Sequence, residues 1–219
     1  MSAFLRERRQ PAYSVPTGVI YAPLLNQLFS ACEGKGAWLN ETTRLPLLGK
    51  AIPPLPKEAP GKCIFACEWG KDRRDIPEGN MHRKVNSFMN MAAEKGGRDG
   101  KGGMVHGVRS LGSATMDLAY VAMGSVDIWW EGGCWEWDVA AGICLLQEAG
   151  GLITTANPPE DVENARIEEA NLGGRLYLAI RPAGNGVGET GRQSQERVVR
   201  ETWRRVVKLD YSRPGVVAN

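Results

Sequence analysis

Two carboxylates set among tryptophans and glycines carry the most chemistry in this chain. The run from Trp129 to Gly151 reads W-W-E-G-G-C-W-E-W-D-V-A-A-G-I-C-L-L-Q-E-A-G-G. Asp138 follows Trp135 and Trp137 and opens a stretch with helical periodicity through Val139, Ile143 and Leu146. A carboxylate in a first helical turn meets unsatisfied N–H groups and the positive end of the helix dipole, both of which favour negative charge. A charged oxygen is what a hard divalent cation such as Mg2+ asks of a ligand. Seven residues earlier, Glu131 ends the apolar run Val126-Asp127-Ile128-Trp129-Trp130, the pattern of a buried strand. Joined by Gly132-Gly133, a strand-end acid and a helix-start acid can converge on one crevice. The same spacing also fits an ordinary helix cap at Asp138 and a solvated strand end at Glu131.

The elements that must position these acids follow from periodicity. Residues 18–23 and 28–32 are short apolar runs that predict a β-hairpin, with a third short strand at 37–39 after Gly34-Lys35-Gly36. Residues 44–62 hold five prolines and predict an irregular connection, and Lys62 to Trp69 reads as a buried strand. Val85, Phe88, Met89 and Ala92 recur at three and four, which predicts an amphipathic helix from Met81 that stops at Gly96-Gly97. A strand at 105–109, a helix from Ser113 to Gly124, a strand at 126–130 and a helix at 138–149 follow. Strands at 152–155 and 176–181 and a charged helix near 193–208 complete the order. Strands alternating with helices predict an α/β layer on a parallel or mixed sheet.

Composition narrows the function classes. The chain has 219 residues, 42% hydrophobic and 24% charged, enough for a sizeable core. A net charge of +2 gives no reason to expect a nucleic-acid or membrane partner. There is no apolar span of membrane length and no secretory leader at Met1, so a cytoplasmic protein is expected. Five cysteines, at 32, 63, 67, 134 and 144, read as reduced and buried thiols, and Cys63 and Cys67 lie in an apolar strand run rather than a metal motif. His82 and His106 are the only histidines, too few for a His-rich zinc site, and His106 reads as a strand-end core residue. Gly186 to Gly191 matches a dinucleotide fingerprint, but no strand follows to complete its βαβ unit, so a flexible loop is expected. Gly96 to Gly103 lacks phosphate-loop spacing and reads as a surface loop.

Taken together, Arg109-Ser110-Leu111-Gly112-Ser113-Ala114, Val121 to Asp127, Glu131, Trp137-Asp138-Val139-Ala140-Ala141-Gly142 and Glu148 to Gly151 resemble the C-terminal signature of the inositol monophosphatase family. The block Gly132 to Asp138 most resembles its fungal branch, which includes a phosphatase-like protein of quinate-utilisation clusters. Gly18 to Pro23 and Gly34 to Asn40 resemble the family's central hairpin, so the likeness spans roughly residues 17–181. The resemblance implies an α/β fold, the αβαβα layered sandwich of that family, N-terminally truncated to the central β-hairpin and the C-terminal α/β layer. Its expected segments are a non-matching 1–17, a sheet remnant with the Pro-rich connection at 18–61, and a C-terminal α/β domain at 62–219.

The family hydrolyses phosphate monoesters with Mg2+. The resemblance implies that Asp138 is a metal ligand that also approaches substrate. It implies that Glu131 holds a hydroxyl of the alcohol, and that Gly112, Ser113 and Ala114 shape the same pocket through their backbone. The family's other metal ligands belong to acidic motifs upstream of the hairpin, and the 17 residues before Gly18 contain one acid, Glu7. Asp75-Ile76-Pro77-Glu78-Gly79 lacks the second aspartate of such a motif and reads as a loop. The expected activity of the intact protein is Mg2+-dependent hydrolysis of inositol 1-phosphate to inositol and phosphate, with this chain inactive alone. The resemblance leaves a homodimer open. A different class of function, a non-catalytic binding or regulatory protein in quinate metabolism, stands beside it. With no upstream half to cover them, Val19, Ile20, Leu24, Leu25, Leu28 and Phe29 are expected to be exposed and to promote aggregation.

Overall fold

The computed structural model describes residues 15–70 and 72–211, so of the expected 1–17 segment only the last three residues are described. The hairpin forms as its alternation requires: β1 (Thr17–Ala22) and β2 (Gln27–Cys32) are antiparallel, with Ile20 opposite Phe29. Strands β3 (Gly36–Leu39) and β4 (Thr43–Arg44) extend this sheet in the order β1-β2-β3-β4. A second sheet has the order β6-β5-β7-β9-β8, built from β5 (Ile64–Cys67), β6 (Gly107–Arg109), β7 (Ile128–Gly132), β8 (Leu152–Thr154) and β9 (Leu176–Ile180). Strands β5, β6 and β7 are parallel, while β9 pairs antiparallel with both β7 and β8.

Four helices fill the spaces: α1 (Asn80–Ala92), α2 (Ala114–Met123), α3 (Glu136–Glu148) and α4 (Gly191–Trp203). The period-two alternation of the second sheet divides the core. Ala66, Trp129 and Ala179 point toward α2, α3 and the hairpin sheet, with Leu118, Val139, Leu145, Ile20 and Phe29. Phe65, Ile128, Trp130, Leu178 and Ile180 point the other way, toward Met91 of α1 and Val198, Val199 and Trp203 of α4. Among the described residues the layers therefore run β-α-β-α, in agreement with a layered α/β sandwich. Trp129 and Trp130 are both fully buried, on opposite faces, and burial of a large apolar side chain is worth about 1.5–3 kcal/mol.

The hairpin sheet is clamped to the helices more tightly than its sequence suggests. A Cβ at Gly18 would lie 2.5 Å from the Ala141 carbonyl oxygen, so only glycine lets β1 lie against α3. Glu148 of α3 accepts the N–H groups of Gly34 and Gly36 at 3.0 and 2.8 Å, pinning the β2–β3 turn. The exposure expected of six hairpin side chains holds for only some of them. Val19, Leu24 and Leu25 are exposed at 62%, 100% and 58%, whereas Ile20 and Phe29 are buried under α2 and α3 and Leu28 is half-buried.

Several sequence expectations shift. Helix α1 turns a polar stripe inward, Asn80, Lys84, Ser87 and Asn90, while Met89 is 44% exposed. The apolar recurrence at Val85, Phe88 and Ala92 marks a flank, because α1 packs over polar strand ends and the C-terminal tail. His106 is exposed rather than in the core, and Cys32 is exposed while Cys63 and Cys144 are buried. All five cysteines are free thiols. Residues 186–189 form a closed turn that leads into α4, whose start is sealed by the reciprocal Thr190 and Gln193 bonds. No helix among the described residues is long and apolar enough to cross a membrane.

Candidate functional site

Parallel strands point their C-terminal ends the same way, and in open α/β sheets ligands bind outside those ends. Here β5 ends into Glu68, β6 into Ser110 and β7 at Glu131-Gly132. Their side chains meet in one network. Glu131 is 1% exposed and forms an ion pair with Lys84 of α1, itself 3% exposed. It also accepts the N–H of Glu68 at 2.9 Å and of Gly132 at 2.7 Å. Lys84 donates as well to the carbonyl oxygens of Glu68 (2.8 Å) and Gly132 (3.3 Å), so its ammonium spans the ends of β5 and β7. Burial pushes the Glu131 carboxyl up to about 7, against the pull of Lys84 and the two backbone donors.

Glu68 carries the network to the third strand. Its carboxylate accepts the Leu111 N–H at 2.5 Å and the Ser110 hydroxyl at 2.8 Å, which fixes the loop between β6 and α2. That loop leads into Gly112, Ser113 and Ala114. Gly112 has φ +75° with open space where a Cβ would sit, so its backbone conformation, not crowding, calls for glycine. Ser113 caps α2 by accepting the Met116 N–H at 3.3 Å, and Ala114 is the first residue of that helix.

Asp117, one turn into α2, is fully buried, with the Glu68 carboxylate and the Trp129 indole as its polar neighbours. The indole of Trp129 is buried beside it. Burial, then the charges of Glu68 and Glu131, push the Asp117 carboxyl up to about 8, so at neutral pH it is held mostly protonated. Asp138 is the third residue of α3 and not its cap. Its Oδ2 accepts the Trp135 N–H at 2.8 Å, and its carbonyl accepts the Thr115 hydroxyl at 2.7 Å, which joins the starts of α2 and α3.

The C-terminal tail roofs this end of the sheet. Asn80 exchanges two 2.8 Å bonds with the backbone of Asp210, and Asn157 does the same with Leu209. They lay the Tyr211 ring over Gly132 and Gly133, with Lys84 5.6 Å from its centroid. Arg175 donates to the Gly133 carbonyl at 2.9 Å and lies 4.0 Å over the Trp135 ring, which stacks on Trp137. Trp137 itself is 72% exposed beside Asp138.

The structure thus brings Glu131, the 112–114 turn and Asp138 to one end of one sheet, linked through Glu68 and Thr115. Sequence reasoning missed Glu68, Lys84, Asp117 and Tyr211. Glu68 had a usable signal, since it ends an apolar strand run just as Glu131 does, and the polar stripe through Lys84 at helical spacing was another. The residues described do not fit a Mg2+ site. One Asp138 oxygen is taken by a backbone N–H, Glu131 is paired with Lys84, and burial pushes the Asp117 carboxyl up. Among the described residues, no group of three or more His, Cys, Asp or Glu side chains is disposed to hold a metal ion.

The chain thus combines a layered α/β sandwich with a strand-end glutamate, a glycine-led α2 turn and a Trp-Asp helix start at one sheet edge. The profile of the Inositol monophosphatase family matches residues 14–206, and the chain belongs to that family. It is 75% identical over 198 residues to Protein qutG of Emericella nidulans, covering 90% of this chain and 60% of that protein. It is 38% identical to Inositol monophosphatase 2 of Saccharomyces cerevisiae, covering 89% of this chain and 58% of the relative. The inositol monophosphatase from Anabaena superposes with a TM-score of 0.60 at 26% identity, over 88% of this chain and 61% of that structure. The chain therefore spans about three-fifths of the length of these relatives.

Proposed function

We propose that this chain supplies the alcohol-recognising half of a phosphate monoester hydrolase, with an inositol phosphate as the substrate class. The observation that carries this reading is the joining of Glu131, the Gly112–Ala114 turn and Asp138 at the C-terminal ends of β5, β6 and β7 through a single set of hydrogen bonds. On this reading the backbone groups of the turn and the Asp138 carboxylate together hold the polyol ring. The family implies Mg2+ for the hydrolytic chemistry, and the side chains described here do not make that site by themselves. This chain alone is accordingly expected to turn over little substrate.

Phosphate release from myo-inositol 1-phosphate in millimolar Mg2+ tests the reading. Turnover of roughly one per second or more, abolished by Asp138→Asn, would overturn the expected inactivity. Absence of both turnover and binding would remove the inositol phosphate assignment. A second reading, ligand binding without hydrolysis in quinate metabolism, is supported by 72% identity to the Quinic acid degradation cluster protein x of Neurospora crassa. Saturable binding of quinate with none of inositol 1-phosphate would favour it.

A further inference from the structure

Neither the family signature nor the expected pocket residues assign a role to Glu68, yet it makes more contacts to pocket elements than any of them. Its N–H is held by Glu131 and its carbonyl by Lys84, so its backbone is fixed to β7 and α1. Its carboxylate holds the Leu111 N–H and the Ser110 hydroxyl, the two groups just before Gly112. A backbone N–H bonded to a carboxylate is held more strongly than one bonded to a neutral acceptor, and the Leu111 N–H has the Glu68 carboxylate as its acceptor. The loop it restrains is otherwise poorly anchored: Ser110, Leu111 and Gly112 are all exposed, and a Cβ at Gly112 would touch nothing.

We infer that Glu68 is a positioning residue that locks the Ser110–Gly112 loop to the ends of β5 and β7, so that Glu131 and the Gly112–Ala114 turn are presented to a ligand as one rigid unit. A loop with no apolar anchor samples many conformations, and ordering it at the moment of binding would cost affinity. One carboxylate with two local donors removes that cost beforehand. Lys84 and Asp117 fit the same design. The ammonium pairs with Glu131 and holds the Glu68 backbone carbonyl, and the buried Asp117 lies close enough to feel the charges of both acids. That the ligand is an inositol phosphate rests on the function proposed above; the locking of the loop does not.

Amide hydrogen exchange and amide chemical shifts of the full chain separate the two. The Leu111 N–H donates to the Glu68 side chain, so its exchange reports that bond directly. In Glu68→Ala, exchange at Leu111 and Gly112 should speed up by about 10- to 100-fold, the change that one charge-assisted hydrogen bond carries, while α4 amides stay as they were. Glu68→Gln should restore slow exchange, because the amide oxygen still accepts from Leu111 and the amide nitrogen can donate to the Ser110 oxygen. Titration with myo-inositol 1-phosphate, with inorganic phosphate as control, should shift the 112–114 amides in the parent and in Glu68→Gln, and about tenfold more weakly in Glu68→Ala. Unchanged Leu111 exchange in Glu68→Ala, or equal loss of protection in α4 with no rescue by glutamine, overturns the inference. If Glu68→Ala fails to fold, Glu68→Asp, whose shorter side chain draws the carboxylate back from Leu111, decides: faster exchange confined to the loop supports the lock, and no change overturns it. Should neither probe shift the parent amides, the phosphate ester reading fails while the exchange comparison still decides the loop.

Discussion

Strand β7 carries an ion pair at each end, and both staple it to β5. At its start, Asp127 accepts the Ile64 N–H at 2.7 Å and pairs with Arg181 at 2.6 Å. At its end, Glu131 accepts the Glu68 N–H at 2.9 Å and pairs with Lys84. The surroundings differ. Arg181 donates further to the carbonyls of Pro53, Pro54 and Pro182, so the lower end sets one acid against one cation whose remaining donors are satisfied. The upper end gathers three acids, Glu131, Glu68 and Asp117, around one ammonium, which pairs with Glu131 alone. The first arrangement closes a sheet and ties down the Pro-rich connection. The second gathers more acid than folding needs, in a place where buried acid costs stability, and such local violations mark functional sites.

The largest expected effect comes from removing the cation at the upper end. Lys84→Met leaves Glu131 buried with backbone donors only, and breaking a buried pair on one side costs about 3–5 kcal/mol. Urea denaturation at neutral pH measures it. A loss below about 1 kcal/mol would mean that the Glu131 carboxyl is already neutral and that the two ends differ less than their geometry indicates.

A smaller loss is expected at the other end. Asp127→Asn keeps an acceptor for the Ile64 N–H, and Arg181 keeps its three carbonyl partners. The charge-assisted part alone is lost, about 1.5–3 kcal/mol. If Asp127→Asn proved as costly as Lys84→Met, the contrast between a satisfied and an over-acidic end would fail.

The same contrast explains what could be read from the sequence. Element order and the Trp-Asp helix start were legible because they depend on local periodicity and on a motif with fixed spacing. The burial of β5 and β7 followed from their apolar runs. The inward face of α1 was not legible by hydrophobic pattern, because its partners are polar strand ends and the tail near Leu209 to Tyr211, more than a hundred residues away. Glu131 was placed at the right strand end, and its carboxylate pairs with Lys84, a partner the motif does not name. That pairing depends on a helix 47 residues upstream, which no spacing within the motif encodes. Ile20 and Phe29 were expected to be bare because the cover considered was a missing half, while α2 and α3 supply it.

The finest distinction between the two ends is the proton held at Asp117. Its carboxyl is pushed from the ordinary 3.8 up to about 8, first by burial and then by the charge of Glu68. Below the lower value the group is protonated in both folded and unfolded chains and has no effect on stability. Between the two values the unfolded chain gives up the proton and the folded chain keeps it. Stability therefore falls as pH rises across this window, by at most about 1.4 kcal/mol per pH unit, and the fall levels off above the upper value. Glu131, lifted from 4.5 to about 7, adds to the same trend over a narrower range. Asp117→Asn removes the larger share, since an amide has no proton to lose. Its unfolding free energy should decline less steeply than the parent's between about pH 4 and 8, and the gap between them should widen with pH. Asp127→Asn should leave the slope as it was. Denaturation midpoints of the three proteins at several pH values decide the matter: parallel curves for the parent and Asp117→Asn would show that Asp117 holds no extra proton in the folded chain, and the remaining difference between the two ends of β7 would rest on Glu131 and the identity of the cations.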